Sequence, residues 1–134
     1  MHEIFQKLVY ILTHDATLNA IVPTKNIFVG DFDAIVETQS TLTYPAITMF
    51  MVSESFRTVP VVRDTMVQLD IWSFNSQTEL NTIYERVATL LNFYSGNQSN
   101  AHIFWDKISS SQDLHESDRR IWRRAVTLTV WSIK

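Results

Sequence analysis

The sequence predicts a single α+β domain spanning residues 1–134, with a mostly antiparallel sheet of about four strands and two helices packed on it. Stretches in which apolar and polar residues alternate, as in half-buried strands, recur along the chain. Two other stretches carry apolar residues at helical spacing. Hydrophobic residues make up 46% of the chain, which favours a folded core over disorder.

The first helical stretch covers residues 2–14. Its polar side is expected to carry Glu3, Gln6 and Lys7, so the helix should pack on a core through its other side. A short helical turn is expected over Asp15–Val22, and the proline that follows ends it because proline cannot continue the helical hydrogen bonds. The apolar side of the first helix consists of Ile4, Phe5, Leu8, Ile11 and Leu12.

The next stretch predicts two strands and two connections. Ile27–Val29 is expected to form a short strand that ends at Gly30, and residues 31–44 repeat no period and predict a long connection. The strand over Ala46–Ser53 carries too many apolar residues for one of its faces to be exposed to solvent. We therefore expect a helix or a partner to cover its outer side. Residues 54–64 predict either a connection between antiparallel strands or an extension of those strands beyond the sheet.

The strand and helix within residues 66–94 organise the chain. Residues 67–72 alternate between apolar and other side chains, as in a strand with one buried face. Ser76 and Glu79 have the spacing of a capping box, in which the hydroxyl accepts a backbone N–H and the carboxylate reaches back to the cap. Gly96 is expected to end the helix. The apolar stripe of this helix is Leu80, Ile83, Tyr84, Val87, Leu90 and Leu91.

The C-terminal third predicts two long strands separated by a loop. Ala101–Ile108 is the third long strand, and Ser109–Asp118 reads as a polar loop with little to bury. Ile121–Ile133 is the last strand. Its two faces are expected to carry Trp122, Val126, Leu128 and Val130 on one side and Arg123, Ala125, Thr127, Thr129 and Trp131 on the other.

Composition argues against several classes of protein. The chain has no cysteine, which excludes disulfides, thiolate metal sites and a cysteine nucleophile. A net charge of −3 does not fit a general nucleic-acid binder, whose surface is usually basic. The longest apolar run, Leu8–Leu12, is far shorter than the roughly 18 residues of a membrane span, so we expect no membrane contact.

No pattern in the sequence predicts catalysis. Two glycines in total leave little room for a phosphate-binding loop, and no nucleophile-elbow motif is present. The four histidines, His2, His14, His102 and His115, do not have metal-ligand spacing. We therefore expect a protein that is not an enzyme, with no catalytic residue, no cofactor and no metal.

The residues that most resemble an interaction site lie in two places. Four arginines flank Ile121 and Trp122, and they suit either a solvated strand entrance paired with nearby carboxylates or an interface with another subunit or partner. Binding of nucleic-acid phosphates is a third reading, which the acidic residues just upstream oppose. The second place is the connection at residues 54–64. The predicted interface residues are Phe56, Arg57, Arg63, Arg119, Arg120, Trp122, Arg123 and Arg124.

Four segments together carry a resemblance to a known family. They are Leu18–Val22 followed by Ile27–Phe28, then Tyr44–Thr48, and then Val67–Ser73 running into the amphipathic helix. In this order the chain resembles the tail terminator, or tail-to-head joining, proteins of bacteriophages with long non-contractile tails. The resemblance covers nearly the whole chain, and its motifs are structural rather than catalytic.

The resemblance implies a structural role in the virion, at the head-proximal end of the tail, for a protein made in the host cytoplasm. Members of the family form a hexameric ring that stops growth of the tail tube. The implied partners are the tail tube protein, the head-completion protein of the neck and other copies of the chain, with DNA passing through the lumen without sequence-specific binding. The alternatives are another neck or minor tail component of similar fold, or a small nucleic-acid-binding module.

Overall fold

A computed structural model of the chain describes residues 3–30, 45–56, 62–74, 76–92, 96–98, 101–116 and 121–133. The predicted connection over residues 31–44 lies outside these ranges. The helices are α1 (Glu3–Thr13), α2 (Ala16–Asn19) and α3 (Gln77–Leu91), with a 3-10 turn at Thr24–Asn26. The strands are β1 (Ile27–Val29), β2 (Ala46–Phe56), β3 (Val62–Ser73), β4 (Gly96–Gln98), β5 (Ala101–Glu116) and β6 (Ile121–Ile133).

The six strands form one sheet in the order β1-β2-β3-β6-β5-β4. Among the strands that the structure describes, the β1–β2 pair is parallel and the other four pairs are antiparallel. The four long strands, β2, β3, β6 and β5, are neighbours, while β1 and β4 add three residues each at the outer edges. The predicted α+β fold with a mostly antiparallel sheet is therefore confirmed.

Helices α1 and α3 pack on the same face of the sheet and share one hydrophobic core. The helices contribute Ile4, Phe5, Leu8, Leu12, Leu18, Leu80, Ile83, Val87 and Leu91, and the sheet contributes Ile27, Ile47, Met49, Val67, Leu69, Ile71, Val126, Leu128 and Val130. The strand residues alternate along each strand, as the period of two predicts. Complete burial of one such Leu or Ile side chain contributes about 1.5–3 kcal/mol to folding.

Lys7 is fully buried, so its assignment to the polar side of α1 was wrong. In a helix, Lys7 lies one turn from both Ile4 and Ile11, so it borders the apolar stripe rather than opposing it. The methylene stem of a lysine can pack within such a stripe.

The start of α3 follows the capping prediction in part. The Ser76 hydroxyl accepts a hydrogen bond from the Glu79 N–H at 3.1 Å, as a capping box requires. The Glu79 carboxylate accepts a hydrogen bond of 2.8 Å from the Ser73 hydroxyl. Because Ser73 is the last residue of β3, this bond fixes the helix directly to the strand that precedes it.

The short strand β1 is held beside the start of β2. The Asn26 side chain donates to the Pro45 carbonyl at 3.0 Å, and the Gly30 N–H donates to the Met49 carbonyl at 2.8 Å. Gly30 has a φ of 138°, a value that glycine adopts without a steric penalty. The predicted strand and its end at Gly30 are confirmed.

Two predicted boundaries were wrong, and one alternative that the sequence left open is decided. The polar stretch from Ser109 to Glu116 is not a loop, because it continues β5 and pairs with β6 as far as Ile121. Strands β2 and β3 extend into the predicted connection and pair as far as Phe56 and Arg63, which supports the alternative of extended strands. Gly96 does not end α3, which ends at Leu91, but begins β4.

Candidate interface at the two ends of the sheet

The structure describes four of the eight predicted interface side chains, those of Arg63, Trp122, Arg123 and Arg124. For Phe56 it gives the backbone, which ends β2 opposite Arg63. Arg57, Arg119 and Arg120 lie outside the described residues. Their role at an interface therefore remains a prediction.

The two predicted sites lie at opposite ends of the sheet. Strands β3 and β6 run antiparallel, so Arg63 is paired with Ser132 at one end and Ser73 is paired with Trp122 at the other. Ten residues of extended strand separate Arg63 from Ser73, which corresponds to about 33 Å at roughly 3.3 Å per residue. Arg63 and the arginines of β6 therefore belong to two separate surfaces.

Arg124 lies on the helix-covered face of the sheet. Its guanidinium carbon is 4.8 Å from the centre of the Tyr84 ring on α3, and its Nη2 donates a hydrogen bond to Asn81 Oδ1. Only 9% of the residue is exposed. Through these contacts Arg124 connects β6 to α3, and its charged group lies between the strand and the helix rather than in solvent.

Arg123 lies on the opposite face of the sheet. Its guanidinium carbon is 5.2 Å from the centre of the Trp72 ring, and the indole N–H of Trp72 donates to the Thr48 hydroxyl at 3.0 Å. On the same face of β3, the Gln68 side chain donates a hydrogen bond to the Asp70 carboxylate at 3.0 Å. Arg123, Trp72 and Thr48 thus connect β6, β3 and β2 on this face.

Trp122 shares the helix-covered face with Arg124, as the alternation of the strand predicted. It is half-buried and packs against the hydrophobic core. A large aromatic side chain that is partly packed and partly accessible is a common anchor at protein interfaces.

Arg63 forms part of a buried polar cluster at the other end of the sheet. Its Nη1 is 3.6 Å from Glu54 Oε1, and only 5% of the residue is exposed. Two fully buried hydroxyl residues lie beside it, Thr65 on the same face of β3 and Ser132 directly opposite on β6. The Thr65 and Ser132 hydroxyls have no hydrogen-bond partner in the part of the chain that the structure describes.

Sequence reasoning missed an ion pair between α2 and α3. Arg86 donates to both carboxylate oxygens of Asp15, from Nε at 2.9 Å and from Nη2 at 2.7 Å. Asp15 also caps α2 by accepting from the Leu18 N–H at 2.8 Å. The hydrogen bonds from Arg86 hold the pKa of Asp15 below its ordinary value, with a smaller contribution from the Leu18 N–H and some opposition from burial. The same hydrogen bonds raise the pKa of Arg86.

A groove of about 250 Å³ lies beside this ion pair, between α2 and α3. It is lined by Thr17, Ile21, Thr82, Glu85, Arg86 and Thr89. No sequence pattern indicated it, because its two walls come from segments more than 60 positions apart.

The described residues hold no group of three or more histidine, cysteine, aspartate or glutamate side chains that could bind a metal ion. Within the same ranges, no helix is both long enough and apolar enough to cross a membrane.

Comparison with known proteins gives a match at the level of the fold. No protein-family model matches the chain, and a search of curated protein sequences finds no match. Among solved structures, the chain is similar to a chain of the structure described as "Virion of native gene transfer agent (GTA) particle". The match covers 96% of this chain and 94% of that chain, with a TM-score of 0.74 and 11% sequence identity. The two chains share a fold over nearly their whole lengths.

Proposed function

We propose that this chain is a non-enzymatic structural protein of a phage-like virion, and that it forms a ring that caps the head-proximal end of the tail tube. In this role it stops polymerisation of the tube and joins the tail to the head-completion protein of the neck. The observation that carries the proposal is the fold shared with a chain of a gene transfer agent virion over 96% of this sequence. The family resemblance of the sequence supports the specific position in the tail.

The arrangement of the sheet suits an adaptor. One rigid sheet carries two candidate surfaces about 33 Å apart, at the β2–β3 end around Arg63 and at the β5–β6 end around Trp122. An adaptor between a tube and a neck needs two such surfaces with different chemistry. We propose that Phe56 and Arg57 contribute to one surface and that Arg119, Arg120 and Trp122 contribute to the other. Arg63 is only 5% exposed, so we assign it to the support of the first surface rather than to direct contact with a partner.

The internal contacts of Arg123 and Arg124 argue against a DNA-binding site built from those two residues. Their guanidinium groups lie over the rings of Trp72 and Tyr84, whereas a site for phosphates presents its cations to the ligand. We propose that DNA passes through the lumen of the ring without being held there, consistent with the net charge of −3.

Electron microscopy of particles made without this gene tests the proposal. Filled heads lying apart from tails that are overlong or open-ended would support a terminator that also joins. Normal joined particles would overturn it. Heads lying apart from tails of normal length would instead support the alternative, another neck or minor tail component, because such a component is not needed to stop tube growth.

Complementation with variants tests the surface at the β5–β6 end. The Arg119→Glu/Arg120→Glu variant should leave the folded protein intact and fail to restore joined particles. Arg123→Glu is a poorer probe, because it also removes the contact with Trp72. Joined particles in normal number with Arg119→Glu/Arg120→Glu would remove these two arginines from the proposed interface.

A further inference from the structure

The two short edge strands cover only part of the long strands beside them. Strand β1 pairs with residues 47–49 of β2, and β4 pairs with residues 101–103 of β5. Among the strands that the structure describes, none pairs with the outer edge of β2 after Met49 or with the outer edge of β5 after Ile103. An open strand edge presents a row of backbone N–H and C=O groups to which another strand can bind.

The open stretches of β2 and β5 match in length. In β2 the stretch covers residues 50–56, from the end of the contact with β1 to the end of the strand. In β5 the Ile108 N–H donates to the Asn92 side chain at 3.3 Å, so the edge is occupied at that point. The pairing of β5 with β6 is irregular at Ser109 and regular afterwards, which leaves residues 110–116 as the open stretch.

The backbone groups of both stretches point outward at alternate residues. The Met49 carbonyl accepts a hydrogen bond from the β1 side, and the register between β2 and β3 carries this alternation to the end of β2. The Ile108 N–H points away from β6, and the register between β5 and β6 carries the alternation to the end of β5. The residues turned outward are Glu54 and Phe56 in β2, and Ser111, Asp113 and His115 in β5.

The outward residues of both strands belong to the same face of the sheet. Glu54 is opposite Thr65, which is two residues from Val67 of the core, and Asp113 is opposite Arg124, which lies against α3. When two antiparallel edges pair, outward residues of one edge lie opposite outward residues of the other. The helices of two copies paired in this way therefore lie on the same side of one continuous sheet.

Two exposed apolar residues lie beside the open edge of β2. Val52, the extra residue at the irregularity of β2, is 51% exposed, and Met66, opposite Ser53, is 36% exposed. A bulge can protect an edge from pairing, but this one comes before Ser53 and leaves the rest of the stretch regular. Contact with a second copy at this edge would remove apolar surface from water.

We propose that residues 53–56 of β2 in one copy pair antiparallel with the open stretch of β5 in a second copy. Strands β2 and β5 run in opposite directions within one sheet, so the sheet of the second copy continues the sheet of the first. A β2–β2 contact would close a dimer and leave both β5 edges open. The β2–β5 contact uses both edges of every copy, and a closed ring leaves neither open.

The position of the two stretches is compatible with a ring. The β2 stretch lies at the end of the sheet where β3 begins, and the β5 stretch lies at the end where β6 begins. Neighbouring copies are therefore offset along the strands, as the strands of a closed barrel are. The inference rests on the proposed function in that this contact would hold neighbouring copies of the ring together.

The absence of cysteine from the chain allows a direct test by disulfide trapping. Purified Ser55→Cys is mixed in turn with Ser110→Cys, Ser111→Cys, Gln112→Cys and Leu114→Cys, and each mixture is oxidised. By register, position 55 and positions 110, 112 and 114 belong to the face that the helices do not cover, whereas position 111 belongs to the other face. At one of the first three positions the mixed dimer should form about tenfold faster, or more, than at position 111.

Ser111→Cys is the matched control, because it makes the same substitution as Ser110→Cys one position further along the strand. Equal yields at all four positions would indicate chance collisions and would overturn the inference. No mixed dimer at any position would have the same meaning. Linked dimers of Ser55→Cys alone, formed as fast as the best mixed dimer, would show a β2–β2 contact instead.

A proline in β5 tests the backbone pairing itself. The Asp113 N–H is turned outward, so Asp113→Pro removes a donor from the edge and leaves the hydrogen bonds to β6 in place. We expect self-association, measured by light scattering, to weaken about tenfold or more at an unchanged urea midpoint. Gln112→Pro is the matched control, because the Gln112 N–H points towards β6 and its loss should lower the midpoint.

Two results of the proline experiment would contradict the inference. Self-association that Asp113→Pro leaves unchanged would show that this edge is not in the contact. A urea midpoint that Asp113→Pro lowers as much as Gln112→Pro does would show that the Asp113 N–H faces β6, and the proposed pairing would then lack its donor.

The two proposals fail in distinguishable ways. Particles that contain this chain, need it for joining and show no cross-link between β2 and β5 would leave the virion role standing and remove the edge contact. Normal joined particles without the gene would remove the virion role, whether or not the purified protein forms the mixed dimer.

Discussion

Arg86 donates two hydrogen bonds to the carboxylate of Asp15, at 2.9 and 2.7 Å, although the two residues lie 71 positions apart in the sequence. The pair connects the start of α2 to α3, and Arg86 also lines the groove between the two helices. Because Asp15 also caps α2, one carboxylate serves both the start of a short helix and the contact between two helices.

This relationship predicts a loss of stability in acid. The folded protein lowers the pKa of Asp15 below its ordinary value of 3.8, so the pair stabilises the fold at pH values above about 4. That contribution is lost as the pH falls below 4 and through the lowered pKa. Urea unfolding at pH 7 and at pH 3 should show that Asp15→Asn is less stable than the unmodified protein at pH 7, with a smaller gap at pH 3. A gap of equal size at both pH values would contradict the assignment.

Replacement of Arg124 should destabilise the protein. Arg124→Ala removes a charged hydrogen bond to Asn81 and a stacking contact with Tyr84, so we expect a loss of about 2–3 kcal/mol in the free energy of unfolding. Urea denaturation measures this loss. A double-mutant cycle with Asn81→Ala should give a coupling energy of at least about 0.5 kcal/mol. Additive effects would indicate that the bond to Asn81 contributes nothing.

Loss of the hydrogen bond between Trp72 and Thr48 should lower the free energy of unfolding, because a buried donor is left without its acceptor. Thr48→Val leaves the Trp72 indole N–H without this acceptor in a buried site, which should cost about 1–3 kcal/mol. Addition of Trp72→Phe removes that donor as well, so the double variant should lose less than the sum of the two single losses. Urea denaturation of the three variants gives the comparison, and strict additivity would count against the bond.

Thr65 provides the opposite case. Its buried hydroxyl has no partner among the described residues, so Thr65→Val should leave stability unchanged or raise it by about 1 kcal/mol. Thr48→Val is the matched control, because it is the same substitution at a buried threonine whose hydroxyl accepts a hydrogen bond. If Thr65→Val destabilises as much as Thr48→Val does, the Thr65 hydroxyl is bound to a partner such as a buried water.

The parts of the fold that could be predicted are those in which local pattern and tertiary structure agree. The strand at Val67–Ile71 and the helix capped by Ser76 follow from alternation, helical spacing and a capping motif, all of which act over a few residues. The placement of Trp122 and Arg124 on one face of β6 follows from the same alternation. These predictions required no knowledge of how distant segments meet.

The predictions from sequence were wrong or incomplete where contacts between distant segments determine the structure. Ser109–Glu116 is polar, yet it continues β5 because β6 supplies partners for its backbone groups whatever the side chains are. Lys7 lies at the border of the apolar stripe of α1, and helical spacing alone does not say that the fold buries it completely. The Asp15–Arg86 pair and the groove beside it depend in the same way on contacts between residues far apart in the sequence.

The long pairing of β3 with β6 has a mechanical consequence. Twelve residue pairs in unbroken register, from Val62 opposite Ile133 to Ser73 opposite Trp122, join the two ends of the sheet. Tension applied between the β2–β3 hairpin and the β5–β6 hairpin pulls each of these strands from its N-terminal end, in opposite directions. Stretching single molecules with optical tweezers from these two points should give one rupture at high force. The hydrogen bonds between β3 and β6 are perpendicular to the direction of the applied force. They are therefore loaded together in shear, and they break together rather than one after another.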